Sequence, residues 1–294
     1  MKLQTLNLVI LIVGFVTSVS AQVDLPLGTR PQGLGGAFVA IANDANAVYW
    51  NPSGLSQIRK GEVTLMHWAF ADLRQIMINY GSFVYPFSQG AFGFSWTRYA
   101  ADLEEGPYNS KSTMTQNALT LSYGLKLIPS LSAGISINRT IIDTKIENGA
   151  GWGFDFGLLA TPLDSREWAV GAAAKNVAAN MKNENLTPWY ILGTAYTVNF
   201  SDTMHTITTA FDVNTREDVE GKEGITLKYA GGLEYRLSSS GYAFAIRGGL
   251  GSKNYSFGFS VGYRFVSVDY AFVKMREETI GNSQKIGVNL YFKE

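Results

Sequence analysis

From Tyr255 to Phe292 the chain alternates, residue by residue, between large apolar and small or polar side chains. Tyr255, Phe257, Phe259, Val261 and Tyr263 stand against Ser256, Gly258, Ser260 and Gly262. Val266, Val268, Tyr270 and Phe272 then stand against Ser267, Asp269 and Ala271, and Ile286, Val288, Leu290 and Phe292 against Lys285, Gly287 and Asn289. A period of two means extended strands with two unlike faces. The bulky face is apolar, and the other is too small to fill an ordinary core. A soluble sandwich points its bulk inward. This pattern fits the inverse case, a transmembrane β-barrel with apolar side chains to lipid and polar ones to the lumen.

The start of the chain reads as an export signal. Lys2 gives a positive first region, Leu6 to Val16 an apolar one, and Val19-Ser20-Ala21 a small-residue cleavage site before Gln22. The apolar run is short for a membrane anchor. After it no run is long enough for a membrane helix, and a membrane protein without such helices must close its sheet, because lipid cannot satisfy an open edge. The chain has 24 basic and 24 acidic residues. That balance excludes the basic field of a nucleic-acid binder. Without cysteine there are no disulfides, no thiolate metal sites and no lipoprotein anchor. No cofactor is implied. The expected division is a signal peptide at 1–21, an N-terminal segment at 22–60 and a barrel at 61–294.

Fourteen strands are expected, at 61–70, 73–85, 90–99, 115–126, 131–143, 152–160, 168–175, 188–198, 204–213, 225–237, 241–250, 255–263, 266–275 and 284–293. An even count returns both chain ends to one side. Turn lengths support it. Connections after even strands are short (Pro86 to Gln89, Ile128 to Ser130, Ser238 to Ser240, Arg264-Phe265). Most others are longer and polar, as at Ala100 to Met114, Asn176 to Thr187, Asn214 to Gly224 and Arg276 to Ser283. Ala71-Asp72 and Gly251 to Asn254 are tight exceptions. Short periplasmic turns and longer external loops orient the barrel.

Alternation sends Leu119, Leu121, Tyr123, Leu125, Phe154, Phe156, Leu158, Leu227, Tyr229, Leu233 and Tyr235 to lipid. Strands 61–70 and 188–198 are ambiguous, with bulk on both faces. Asp155, Lys175, Asp212, Lys228, Glu234, Arg236, Arg247, Asp269 and Lys285 should project inward. Both signs occur, so this is no single-sign ion filter. The set reads as a network that pairs across the lumen, or as the wall of a polar passage. Trp96, Tyr99, Trp168, Trp189, Tyr242 and Tyr263 are candidates for an interfacial aromatic girdle.

Enzyme motifs do not hold up. Gly258-Phe259-Ser260-Val261-Gly262 matches a nucleophile elbow, but that motif needs a strand-to-helix turn, and here it lies inside an alternating strand. His67 and His205 are the only histidines, too few for a metal site without cysteine. Gly33 to Gly36 is no dinucleotide loop, lacking a preceding strand. The chain is read as non-enzymatic.

Residues 28–55 do not alternate. Gly33, Gly35 and Gly36 allow tight turns and close backbone contact. Asn43-Asp44, and Asn51-Pro52 before Ser53-Gly54, are turn chemistry. The segment is too polar for lipid and belongs in the periplasm or the lumen. Arg30 is the residue expected to reach a lumen carboxylate, either Asp155 or Asp269.

The string Gly33-Leu34-Gly35-Gly36-Ala37, Ala42-Asn43-Asp44-Ala45 and Val48-Tyr49-Trp50-Asn51-Pro52-Ser53-Gly54-Leu55 resembles the N-terminal hatch of PorV/PorQ family barrels, within the wider FadL-like group of toluene transporters. Gly153 to Leu158, Lys175-Asn176 and Val268 to Phe272 are weaker family-like features. The last strand (Lys285, Gly287, Leu290, Phe292) resembles the signal that outer-membrane barrels present to their assembly machinery. The resemblance implies an all-β, fourteen-stranded barrel with its hatch in the lumen, in the outer membrane of a Gram-negative-type bacterium. The implied partners are outer-membrane lipid, the barrel assembly machinery, and either type IX secretion proteins and their cargo or a small hydrophobic ligand. A PorV/PorQ-like barrel would dock or shuttle secreted proteins; a FadL-like one would pass small hydrophobic molecules.

Overall fold

The computed structural model describes residues 26–70, 75–105, 110–144, 148–162, 167–181, 184–200, 204–217, 225–276 and 282–292. The signal-peptide expectation lies outside these residues. Fifteen strands occur among them: β1 (Glu62–Phe70), β2 (Ile76–Phe87), β3 (Gly90–Glu105), β4 (Ser110–Ile128), β5 (Leu131–Asp143), β6 (Asn148–Ala160), β7 (Trp168–Met181), β8 (Glu184–Asn185), β9 (Trp189–Asn199), β10 (His205–Glu217), β11 (Ile225–Ser239), β12 (Tyr242–Gly251), β13 (Asn254–Tyr263), β14 (Val266–Met275) and β15 (Asn282–Tyr291). All but β8, a two-residue appendage on β7, form one antiparallel wall of fourteen strands. It closes where β1 meets β15, with Val63 opposite Leu290 and His67 opposite Ile286. Closure leaves no unpaired edge in the apolar zone.

Tight turns join β2 to β3, β11 to β12 and β13 to β14, and mark the periplasmic end by the turn-length rule. At the other end the strands run past their expected limits. β3 and β4 stay paired to Glu105 and Ser110, so most of the long loop expected at Ala100 to Met114 is a hairpin. β7 continues to Met181 through what reads in sequence as a loop. These extensions do not set bulky apolar side chains against small polar ones (Val177-Ala178-Ala179-Asn180-Met181 on β7, Asp102-Leu103-Glu104-Glu105 on β3), so the sequence pattern stops signalling strand.

The outward face is apolar almost throughout. Leu121, Phe156, Leu158, Leu227, Leu233, Phe257 and Val261 are exposed, as suits lipid contact. The two ambiguous strands resolve into inward Thr64, Met66 and Trp68 on β1, and inward Trp189, Ile191 and Ala195 on β9. Two girdle expectations are corrected. Tyr99 packs against an internal cluster of Leu27, Met66, Trp68, Ile78 and Tyr80, and Trp189 packs with Val39, Ala173 and Ile191 inside the wall. Trp96, Trp168, Tyr242 and Tyr263 do face outward.

Besides a shift between Lys126 and Ile128 of β4, the described wall is irregular along β7. Opposite β6, Trp152 pairs with Asn180, Phe154 with Val177 and Phe156 with Ala174. β7 therefore carries two extra residues. Two residues in this stretch take left-handed backbone, Asn176 (φ 57°) and Ala178 (φ 49°). For Ala178, which lacks a side chain to favour that region, the conformation is strained.

Residues 26–60 fill the lumen. A short helix α1 (Thr29–Gly33) stops at Gly35 and Gly36, both at positive φ, a conformation glycine adopts without steric cost. A second turn, α2 (Ala47–Trp50), runs into a 3-10 helix, η1 (Pro52–Gln57). Asn51 is extended, as the residue before proline must be. It caps η1 by accepting from the Ser53 N–H at 3.2 Å.

Candidate functional site: the hatch and the two lumen cavities

The small lumen face seen in sequence is where the hatch lies. The C-terminal half of the hatch, α2 and η1, sits on β3 to β6. A Cβ at Gly134 would strike Pro52 and Ser53, and one at Gly157 would strike the Asn51 side chain. Close backbone approach of this kind requires glycine. Few polar pins are needed here. Ser56 donates to Ser132 at 2.8 Å, and the Asn51 amide donates to Leu158 O at 3.1 Å and, across the hatch, to Val39 O at 2.8 Å.

The N-terminal half has the same kind of fit, with Gly232 and Gly249 against Leu34 and Gly35 and Gly171 against Val39, and adds charge to it. Arg30 grips Glu234 with two parallel bonds, Nε to Oε2 and Nη2 to Oε1, both 2.9 Å. Its Nη1 reaches Asn43 at 2.7 Å and Asp44 at 2.8 Å. The expectation that Arg30 meets Asp155 or Asp269 is therefore corrected: Glu234, between them on the wall, takes it. Burial works against the Arg30 charge, but Glu234 and Asp44 outweigh it and hold the guanidinium above its ordinary pKa. Glu234 also accepts from Arg247, and from Arg236 at 3.5 Å. Arg247 extends the network to Ser260 at 2.7 Å and Asp269 at 3.5 Å, and Asp269 accepts from Asn289 at 2.7 Å. Ser260 is thus an arginine partner inside β13. Asp212 takes the Phe38 and Val39 N–H groups at 2.7 and 2.9 Å. Gly35 N donates to Ser256 at 3.0 Å, and Gly33 packs on Gly258.

The other sequence candidates separate. Asp155 accepts from Asn176 N at 2.9 Å, which fixes the first bulge of β7. Lys175 donates to Tyr49 O at 2.8 Å and lies 3.4 Å from the Tyr49 ring centre. Lys228 is half-buried near the outer end of β11. Lys285 is fully buried, donates to Gln32 at 2.6 Å and lies 3.7 Å over the Trp68 ring. Gly287 meets Thr29 of the hatch, while Leu290 and Phe292 face outward.

The hatch parts the lumen. On the periplasmic side lies a polar vestibule of about 530 Å³, walled by Arg30, Asp44, Glu62, Glu234, Arg236 and Asp269 among others. On the outer side lies a chamber of about 50 Å³. Leu27, Val48, Tyr49, Tyr99 and Ala118 give it an apolar lining, and Gln116, Asn138, Asp155, Lys175 and Asn176 add polar groups. Sequence reasoning missed this chamber. Strand parity could have found Tyr99, because Phe92, Phe94 and Trp96 face lipid on the same strand and an odd position must then face in. Leu27 and Tyr49 lie in the non-alternating hatch, where no parity exists.

Comparison with known proteins fits this architecture. Residues 16–123 match the model of an uncharacterised protein family, UPF0164. No curated protein matches the chain. Among solved structures, the chain is similar to the CymD monoaromatic hydrocarbon channel (TM-score 0.61, 13% identity, covering 91% of this chain and 98% of that one). It is similar to the Ralstonia pickettii toluene transporter TbuX (TM-score 0.61, 11% identity, 91% and 98%). It is also similar to a Pseudomonas aeruginosa FadL homologue (TM-score 0.57, 12% identity, 90% and 98%). The shared feature is the fold: a closed fourteen-stranded antiparallel barrel.

Proposed function

We propose that the protein is an outer-membrane channel for small apolar or amphipathic molecules, gated by its hatch. One observation carries the reading: a chamber with an aromatic lining sits outside the hatch and against the one doubly bulged stretch of wall, since Lys175 and Asn176 of β7 line it. Bulges weaken local pairing, and an apolar concavity with a few convergent polar groups is the usual form of a small-molecule site. The barrels it resembles are named as a hydrocarbon channel and a toluene transporter, which supports the same class of work. Passage needs the N-terminal half of the hatch to leave its ionic seat. Its ionic pins, Arg30, Asp44 and Glu234, line the polar vestibule, and the C-terminal half has no such ionic clamp.

A PorV/PorQ-like role in docking secreted proteins is the other reading of the sequence, and it draws no support from these neighbours. Uptake of labelled toluene by Gram-negative cells, whose lipopolysaccharide leaflet slows passive entry, tests the proposal. Expression of the protein should raise uptake several-fold. Unchanged uptake, with secretion proteins co-purifying from solubilised membranes, would replace the channel reading with the docking one.

A further inference from the structure

We infer that the outer chamber takes a single-ring ligand bearing one carboxylate, with the Lys175 ammonium as its anchor. The inference rests on the channel reading and narrows its substrate. Lys175 is only 5% exposed and lines the chamber. An ammonium has three donors. One goes to Tyr49 O, and the π faces of Tyr49 and Trp189 lie 3.4 and 5.3 Å away. Carbonyl and ring contacts do not neutralise it, and a buried cation without a counter-ion is costly.

The nearest candidate counter-ion is already engaged. Asp155 lines the same chamber, yet it accepts from the Asn176 N–H and forms no ion pair with Lys175. A ligand carboxylate bonded to the ammonium would supply the direct ion pair that Asp155 does not make, and the Asp155 charge would limit the ligand to one such group. Gln116 adds a second polar anchor. Its Oε1 is buried without a donor, and its amide can turn to present N–H instead. Tyr49, Tyr99, Leu27, Val48 and Ala118 give the apolar part of the lining, which suits a flat ring, and Ser95, Thr97, Thr120, Asn138 and Asn176 complete it with small polar groups. A cavity that holds benzene is roughly 150 Å³, so a chamber of about 50 Å³ must enlarge. Leu27 belongs to the N-terminal half of the hatch, so the ligand that fills the chamber displaces the part that gates it.

Benzoate and toluene are the probes, titrated at neutral pH into the detergent-solubilised full-length protein by calorimetry. Wild type should bind benzoate about tenfold or more tighter than toluene. Lys175→Met should erase that preference, while Lys175→Arg should keep most of it. Folding of each variant is checked by its heat-modifiable gel mobility. Benzoate binding that survives Lys175→Met in a folded barrel, or a wild type that prefers toluene, overturns the inference and leaves the channel reading standing. No binding of either probe, together with unchanged toluene uptake, overturns both.

Discussion

The two halves of the hatch share a glycine-backed fit to the wall and differ in charge. In the C-terminal half α2 and η1 press backbone to backbone on glycines of β3 to β6, with Gly134 and Gly157 in contact with Asn51 to Ser53. The N-terminal half has such contacts too, with Gly171, Gly232 and Gly249 against Val39, Leu34 and Gly35, and adds charge: Arg30 is clamped to Glu234, and Asp212 holds the Phe38 and Val39 amides. Glycine contacts alone offer no exchange of partner. An ionic clamp beside a polar vestibule can exchange its partner for water or for another ion. The difference assigns the moving part of the gate to residues 27–46 and the fixed part to 47–57.

The largest effect is expected at the clamp. Glu234→Leu leaves Arg30 and Arg247 buried without their shared carboxylate, a loss of about 3–5 kcal/mol. The N-terminal half should come free and chymotrypsin should cut after Phe38, which is fully buried in the closed hatch, while the barrel stays folded. Resistance to chymotrypsin equal to wild type would show that the glycine contacts alone hold this half. Gly134→Val comes next. The new side chain meets Pro52 and Ser53, and overpacking of this kind costs about 1–3 kcal/mol. Its effect should appear as a lower unfolding temperature, with Phe38 still protected from chymotrypsin. The smallest effect is expected for Ser56→Ala, which removes one bond to Ser132 and about 1 kcal/mol. A large loss there would mean that polar pins, and not glycine contacts, seat the C-terminal half.

Most of the wall was legible in sequence because lipid on one side and a hatch on the other impose unlike faces. All fourteen wall strands lie where alternation puts them. Legibility failed where that contrast fades. On β1, Leu65 faces lipid and Trp68 faces an aromatic cluster of the lumen, so both faces are bulky. Past Ala101 the sequence of β3 and β4 is mostly polar at consecutive positions, as in Asp102, Glu104, Glu105 and Ser110 to Thr113, and reads as loop. The bulges of β7 leave no mark, since Asn176 and Ala178 take left-handed backbone without being glycine. The clamp was half legible. Arg30 stood out as a buried-segment cation in need of a carboxylate, but which carboxylate depends on strand order around the closed wall. Glu234 and Asp269 lie on strands three apart, with Arg247 between them, and nothing in a linear sequence ranks them.

Cross-linking tests the division of the hatch most directly, and the absence of native cysteine leaves it without background. Gly33→Cys with Gly258→Cys ties the N-terminal half to β13, where a Cβ at Gly258 would lie 3.1 Å from the Gly33 Cα. Ser56→Cys with Ser132→Cys ties the C-terminal half to β5, where the two hydroxyls are 2.8 Å apart. Toluene uptake is then measured with each disulfide formed and again after reduction. The first lock should abolish uptake and reduction should restore it, while the second should leave uptake unchanged. Uptake that survives the first lock, or is lost only with the second, would contradict a gate formed by the clamped half.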